Sequence, residues 1–179
     1  MGNTVEKIRI TIDTNRINVR NQIFAMNTLE NMQERGIIEI VKTDAMDTEM
    51  LDGKKNPYHS GLRKSQKYQE IQGYGFFGHS RFEHNVFGNM EDGGLNQSIV
   101  MALFPGKSYS ELSINDCRDV MHIQAHIVDK AAYFVTNDGP ILRAAENLTR
   151  LGVQIRTPEV LLKELENRGQ TPRGLSPLN

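Results

Sequence analysis

Four acids stand where their chemistry can combine: Asp13, Glu49, Asp119 and Asp138. Carboxylates brought to one place repel one another, and some are then driven to hold protons. A hard divalent cation removes the conflict. Mg²⁺ or Mn²⁺ takes oxygen ligands, and Mg²⁺ commonly keeps waters beside one or two carboxylates. Such a cation lowers the pKa of a bound water, orients it and offsets charge developing on a phosphate. No serine or cysteine nucleophile is then required, and hydrolysis of phosphodiester bonds is the natural reaction class. Each acid by itself has an ordinary use, since an aspartate after a strand commonly forms a turn or caps a helix. Their joint placement carries the chemical reading.

That placement depends on the elements around them. Residues 8–12 (IRITI) alternate apolar and polar side chains, predicting a strand that ends at Asp13. Ile23, Met26, Leu29 and Met32 recur on one face of a helix over 21–35, closed by Gly36. A second strand over 37–41 leads to a short polar helix over 44–51 that carries Glu49, with Thr43 or Asp44 as its cap. Helices are expected over 97–104 and, capped by Asn115, over 115–130, where Asp119 lies near the start. A strand at 133–135 runs into Asp138. Pro140 opens a further helix with Ile141, Ala144, Ala145 and Leu148 inward. A short strand at 153–155 precedes a last helix from Thr157-Pro158, with Leu161, Leu162 and Leu165 inward. Strands alternating with helices specify an α/β fold, three layers α/β/α around a mostly parallel sheet. In such sheets ligands bind outside the carboxyl ends of the strands, where the acids fall. The chain reads as one domain over 1–166, with an irregular insertion at about 52–95 and a flexible tail over 167–179.

Composition narrows the class further. The 21 Lys and Arg nearly balance the 22 Asp and Glu, so any nucleic-acid surface must be local. Cys117 is the only cysteine, which excludes a disulfide framework or a thiolate metal site within one chain. The amino-terminal residues lack the apolar run of a signal peptide. The longest apolar run, residues 99–104, is far below the roughly 20 residues that span a bilayer. A soluble, cytoplasmic protein with no membrane partner is expected.

Three stretches, taken together, resemble the PIN domain, a ribonuclease family. They are IDTN at 12–15, RDVMHIQAHIVDKAAYFVTNDGPIL at 118–142 and GVQIRTPEVLLKEL at 152–165. The likeness covers about residues 6–50 and 96–166. It implies a PIN-like fold and a Mg²⁺- or Mn²⁺-dependent endoribonuclease acting on single-stranded or structured RNA. Asp13, Glu49, Asp119 and Asp138 take the positions of the family's catalytic, metal-binding acids, and Asn15 and Thr136 those of polar groups that shape the site for substrate. Asp47 is the alternative to Glu49, and Asp116, three residues before Asp119, is an alternative or additional metal ligand. The resemblance also admits a toxin–antitoxin role with a protein inhibitor, an RNA-processing role, and a homodimer.

His122 and His126 share a helix face with Asp119 at spacings i, i+3, i+7. An i, i+4 histidine pair can bind a transition metal, but no third nitrogen or sulfur ligand accompanies it. The expectation is that both histidines pack or hydrogen-bond beneath the site. The insertion carries six basic residues against one acid between Lys54 and Arg81, and seven of the twelve aromatics fall between Tyr58 and Phe87. Arg63, Lys64, Lys67 and Arg81 could neutralise phosphates while aromatics stack bases, each base contributing roughly 1–3 kcal/mol. Equally, the aromatics could form a satellite core with solvated lysines around it. The alternative function is a non-catalytic PIN-like module that binds RNA or a protein partner. A phosphotransfer enzyme of haloacid dehalogenase or receiver type is disfavoured, because no DxD loop follows the first strand.

Overall fold

The computed structural model describes residues 7–14, 24–46, 64–73 and 90–169. Five strands form one sheet in the order β3-β2-β1-β4-β5, every pairing parallel. They are β1 (Ile8–Ile12), β2 (Ile38–Thr43), β3 (Gln69–Ile71), β4 (Tyr133–Val135) and β5 (Ile155–Arg156). The helices are α1 (Phe24–Glu34), α2 (Met90–Leu103), α3 (Ile114–Asp129), α4 (Gly139–Arg143), α5 (Ala145–Thr149) and α6 (Pro158–Asn167). The chain builds outward from β1 to β2 and β3, then returns to place β4 on the other side of β1. The carboxyl ends of β1 and β4 therefore flank the point where the winding reverses, the usual ligand crevice of an open parallel sheet.

Both faces of the sheet are covered, as parallel sheets require. Ile10 and Ile12 of β1, with Ile38, Ile40, Tyr133 and Val135, pack against Ala25, Met26, Leu29 and Met32 of α1 and Leu161, Leu162 and Leu165 of α6. On the opposite face Phe134 and Ile155 meet Ile99, Val100 and Leu103 of α2, Val120 and Ile123 of α3, and Ile141 and Leu148. The result is the three-layer α/β/α architecture expected from the alternation of elements.

Several boundaries differ from the sequence expectation. The segment at 52–95 is not wholly irregular: Gln69–Ile71 is the third strand, and α2 begins at Met90 rather than at 97. β3 is a three-residue edge strand with one buried side chain, so it lacks an apolar pattern. Gly93 and Gly94 sit inside α2 with open space around them. The cap of α3 is Ser113, not Asn115: its hydroxyl accepts from the Asp116 amide while Asp116 reaches back to the Ser113 amide. The helix opened by Pro140 divides at Ala144 into α4 and α5. The last strand lies at Ile155–Arg156 because the Val153 amide turns back to the Leu148 carbonyl, 3.1 Å away, through Gly152 at φ +85°. Residues 44–46 begin a helix, as expected. Asn15, Asp47, Glu49, Arg63 and Arg81 lie outside the described residues, as do residues 170–179 of the tail.

Candidate active site at the carboxyl edge of the sheet

Two periodicities bring the site together. Side chains on one face of a strand recur every two residues, and those on one face of a helix every three or four. On β1 the face that meets α3 carries Arg9, Thr11 and, just past the strand, Asp13. On α3 the matching stripe is Asp129, His126, His122 and Asp119. Arg9 grips Asp129 with Nη2 to Oδ1 at 2.8 Å and Nε to Oδ2 at 3.1 Å. Thr11 Oγ1 meets His126 Nδ1 at 2.9 Å. His122 then bridges Thr43 Oγ1 at the end of β2 and Thr14 Oγ1 beyond β1, at 2.5 and 3.5 Å. Helix and strand run in opposite directions, so each step up β1 is a step back along α3. Asp119 lies one step further, about 4.5 Å along the helix axis beyond His122 at 1.5 Å per residue. It is partly buried, at the level of the carboxyl edge.

Asp13 itself is buried, at 6% exposure. Its amide donates to the Val135 carbonyl at 3.1 Å, joining the ends of β1 and β4. Thr136, fully buried, ties this corner together. Its Oγ1 accepts the Asp138 amide at 2.8 Å and donates to Asp13 Oδ2 at 2.6 Å. Because the hydroxyl oxygen receives one hydrogen, its own proton is directed onto the carboxylate. Thr136 is thus a positioning group for Asp13 rather than the substrate-binding group expected from the resemblance, since a side chain with no exposed surface cannot meet substrate. Thr136→Val is expected to destabilise the fold by about 1–3 kcal/mol through the orphaned Asp138 amide and the lost bond to Asp13. Chemical unfolding would show it, with Thr136→Ser retaining most of the stability.

Asp138 caps α4, its Oδ1 accepting the Ile141 amide at 3.0 Å. The ordinary use of a strand-end aspartate is therefore realised there, through one of its two carboxylate oxygens. Asp116 is committed to the start of α3. Oδ2 takes both the Ser113 amide and Lys107 Nζ, each at 2.9 Å. Burial raises its pKa, but the bonds from Lys107 and Ser113 outweigh burial and hold the carboxyl below its ordinary range. Asp44, read from sequence only as a helix cap, follows β2 at the same edge and is 3% exposed. Its position after a strand was the signal that could have marked it.

The two described lysines proposed for substrate binding are not brought to the acids. Lys64 and Lys67 precede β3, whose Gln69 pairs with Val41 in mid-β2, so they lie toward the amino edge of the sheet. Lys64 also pairs with Glu30 of α1 at 2.5 Å. From sequence alone the edge a loop faces is invisible, because it depends on the direction of the strand that follows.

Both histidines are buried, at 0% and 1% exposure, with hydroxyl partners and with the Phe134 ring edge-on at 6.5 and 5.6 Å. Burial lowers the His126 pKa from 6.5 to about 4, so the ring is neutral at pH 7. Between those values the unfolded chain binds a proton that the native protein refuses. Stability is accordingly expected to fall as pH drops from 6.5 to 4, by about 3 kcal/mol at roughly 1.4 kcal/mol per unit. Urea midpoints at pH 7 and 4.5 would report it, and His126→Gln should flatten the difference between them.

Among the described residues, no three His, Cys, Asp or Glu side chains are gathered closely enough to hold a metal ion. The donors at the edge are nonetheless all carboxylate oxygens, the chemistry Mg²⁺ and Mn²⁺ select, and Mg²⁺ commonly needs only one or two of them. Also among the described residues, no helix is long and apolar enough to cross a membrane. No protein-family profile, curated protein or solved structure matches this sequence.

Proposed function

We propose that the protein is a divalent-metal-dependent endoribonuclease of PIN type, with Asp13, Asp119 and Asp138 as metal-binding acids and Glu49 completing the set. The observation that carries this reading is the Asp13–Thr136–Asp138 connection at the reversal point of a parallel sheet, where β1 and β4 deliver two acids to one corner. Mg²⁺ or Mn²⁺, when bound, would supply an activated water and offset phosphate charge. The chain's own part is positional. Thr136 fixes the Asp13 carboxylate, α4 fixes that of Asp138, and the Arg9–Asp129, Thr11–His126 and Thr43–His122 bonds hold α3 in the register that presents Asp119.

The deciding experiment is incubation of a mixed cellular RNA pool with the protein, with and without Mn²⁺, and mapping of the new ends. Metal-dependent internal cleavage supports the nuclease. Intact RNA together with no Mn²⁺ heat in calorimetry would instead favour a non-catalytic module binding RNA or a protein partner. One observation favours that second reading: Asp138 already serves as a helix cap. A cytoplasmic toxin restrained by a protein antitoxin and a homodimer belong to the first reading as further proposals.

A further inference from the structure

A cleft of about 430 Å³ is bounded by the end of α2, residues 104–105 and the α4–α5 pair, its lining on α4 beginning at Pro140, two residues after Asp138. Its size is that of a site for a small organic group. The walls are mainly apolar: Leu103, Phe104, Pro105, Pro140 and Ala144, with Asn147 and Arg143 as the polar groups. Asn147 Nδ2 is committed to the Ala102 carbonyl at 3.3 Å, so it braces the wall. Arg143 is exposed and, among the described residues, has no carboxylate partner. Its guanidinium folds back over the start of α4. A Cβ at position 139 would lie only 3.2 Å from Arg143 Nη1. Gly139 thereby leaves room for the Arg143 guanidinium one residue along the chain from Asp138, and Arg143 is also part of the cleft's lining.

An aromatic and proline-lined cleft with a planar cation in its lining matches one kind of occupant. A base can enter the cleft and lie against Phe104, and a phosphate can meet the guanidinium. The other cation nearby, Lys107, lies 5.1 Å over the Phe104 ring and is neutralised by Asp116, so Arg143 is the group left to receive the phosphate. The geometry points to a subsite for one unpaired nucleotide of an RNA strand, base in the cleft and phosphate on Arg143. This would make the strand single-stranded at that position, since a base within a duplex is stacked and must leave the stack to lie against a protein wall. The inference rests on the nuclease reading for its substrate class.

The test uses the whole chain and a fluorescent oligoribonucleotide in EDTA, which withholds the metal that cleavage needs, read by anisotropy, alongside cleavage kinetics in Mn²⁺. Arg143→Glu is expected to weaken oligonucleotide binding roughly tenfold and to reduce the salt dependence by about one phosphate contact. In cleavage the loss should fall mainly on KM. Phe104→Leu, which keeps the wall apolar, should weaken binding of the intact oligonucleotide but not of one abasic at the seated position. Unchanged binding and KM in Arg143→Glu, with wild-type cleavage intact, would overturn the subsite and leave the nuclease standing. Weakened binding in a protein that never cleaves RNA would support the subsite and overturn the nuclease. Wild-type protein that neither binds nor cleaves would overturn both. Arg143 is exposed, so the thermal melt of Arg143→Glu should match wild type.

Discussion

Asp13→Asn is expected to reduce Mn²⁺-dependent RNA cleavage at least a hundredfold while leaving the protein folded. The substitution keeps the shape of the side chain and an oxygen able to accept the Thr136 hydroxyl, so the buried corner where β1 meets β4 stays paired. What it removes is a full negative charge from a 6% exposed site. A cation held by carboxylates loses several kcal/mol of attraction there, and about 1.4 kcal/mol is a factor of ten in rate. Calorimetry should show Mn²⁺ binding weakened in parallel, and far-ultraviolet circular dichroism should be unchanged. Full cleavage by the variant would remove Asp13 from the chemistry and, with it, the proposed site.

Phe134→Ala should produce the largest loss of stability, about 3–5 kcal/mol by analogy with other large buried aromatics. Phe134 has no exposed surface and stands at the centre of β4 between β1 and β5. Its ring is the common surface on which His122 and His126 rest edge-on, at 6.5 and 5.6 Å. Truncation opens a cavity beneath two buried imidazoles whose polar partners would then be exposed to entering water. Native proteins hold only about 5–15 kcal/mol in total, so the loss is a large fraction of the whole. At 2–4 °C per kcal/mol for a chain of this size, the melting temperature should fall by about 6–20 °C. Phe134→Leu, which keeps most of the volume, should cost far less. A melting temperature within a few degrees of wild type in Phe134→Ala would mean that the α3 face of the sheet is not packed as described.

Much of the frame was legible where its signal is local. The alternation in IRITI, the apolar stripe of α1 and the Thr-Pro start of α6 each sit within one or two turns of chain, and each element appears where expected. Asp13 and Asp138 could be marked as strand-end acids for the same reason. β3 could not, because QEI is polar, short and held in the sheet only by its pairing with residues 41–43. Thr136 was recognised as a polar companion, but its buried relay between Asp138 and Asp13 needs two strands side by side. Lys64 and Lys67 looked like part of a substrate grip because charge is visible in sequence, whereas the edge of the sheet they occupy is not.

By itself, the sequence determined four of the five strands and most of the helices, that they alternate, and that acids follow β1 and β4. Side-chain periodicity and turn chemistry act over a few residues and need no distant partner. Only the tertiary structure decided that β1 and β4 are neighbours, that Thr11 and Thr14 receive the histidines of α3, and that a cation rests over Gly139 beside Asp138. The first two of those relations join residues more than a hundred positions apart and arise from the strand order, which packing across both faces of the sheet selects; the third joins near neighbours on one short helix, where the rotamer of Arg143 decides it.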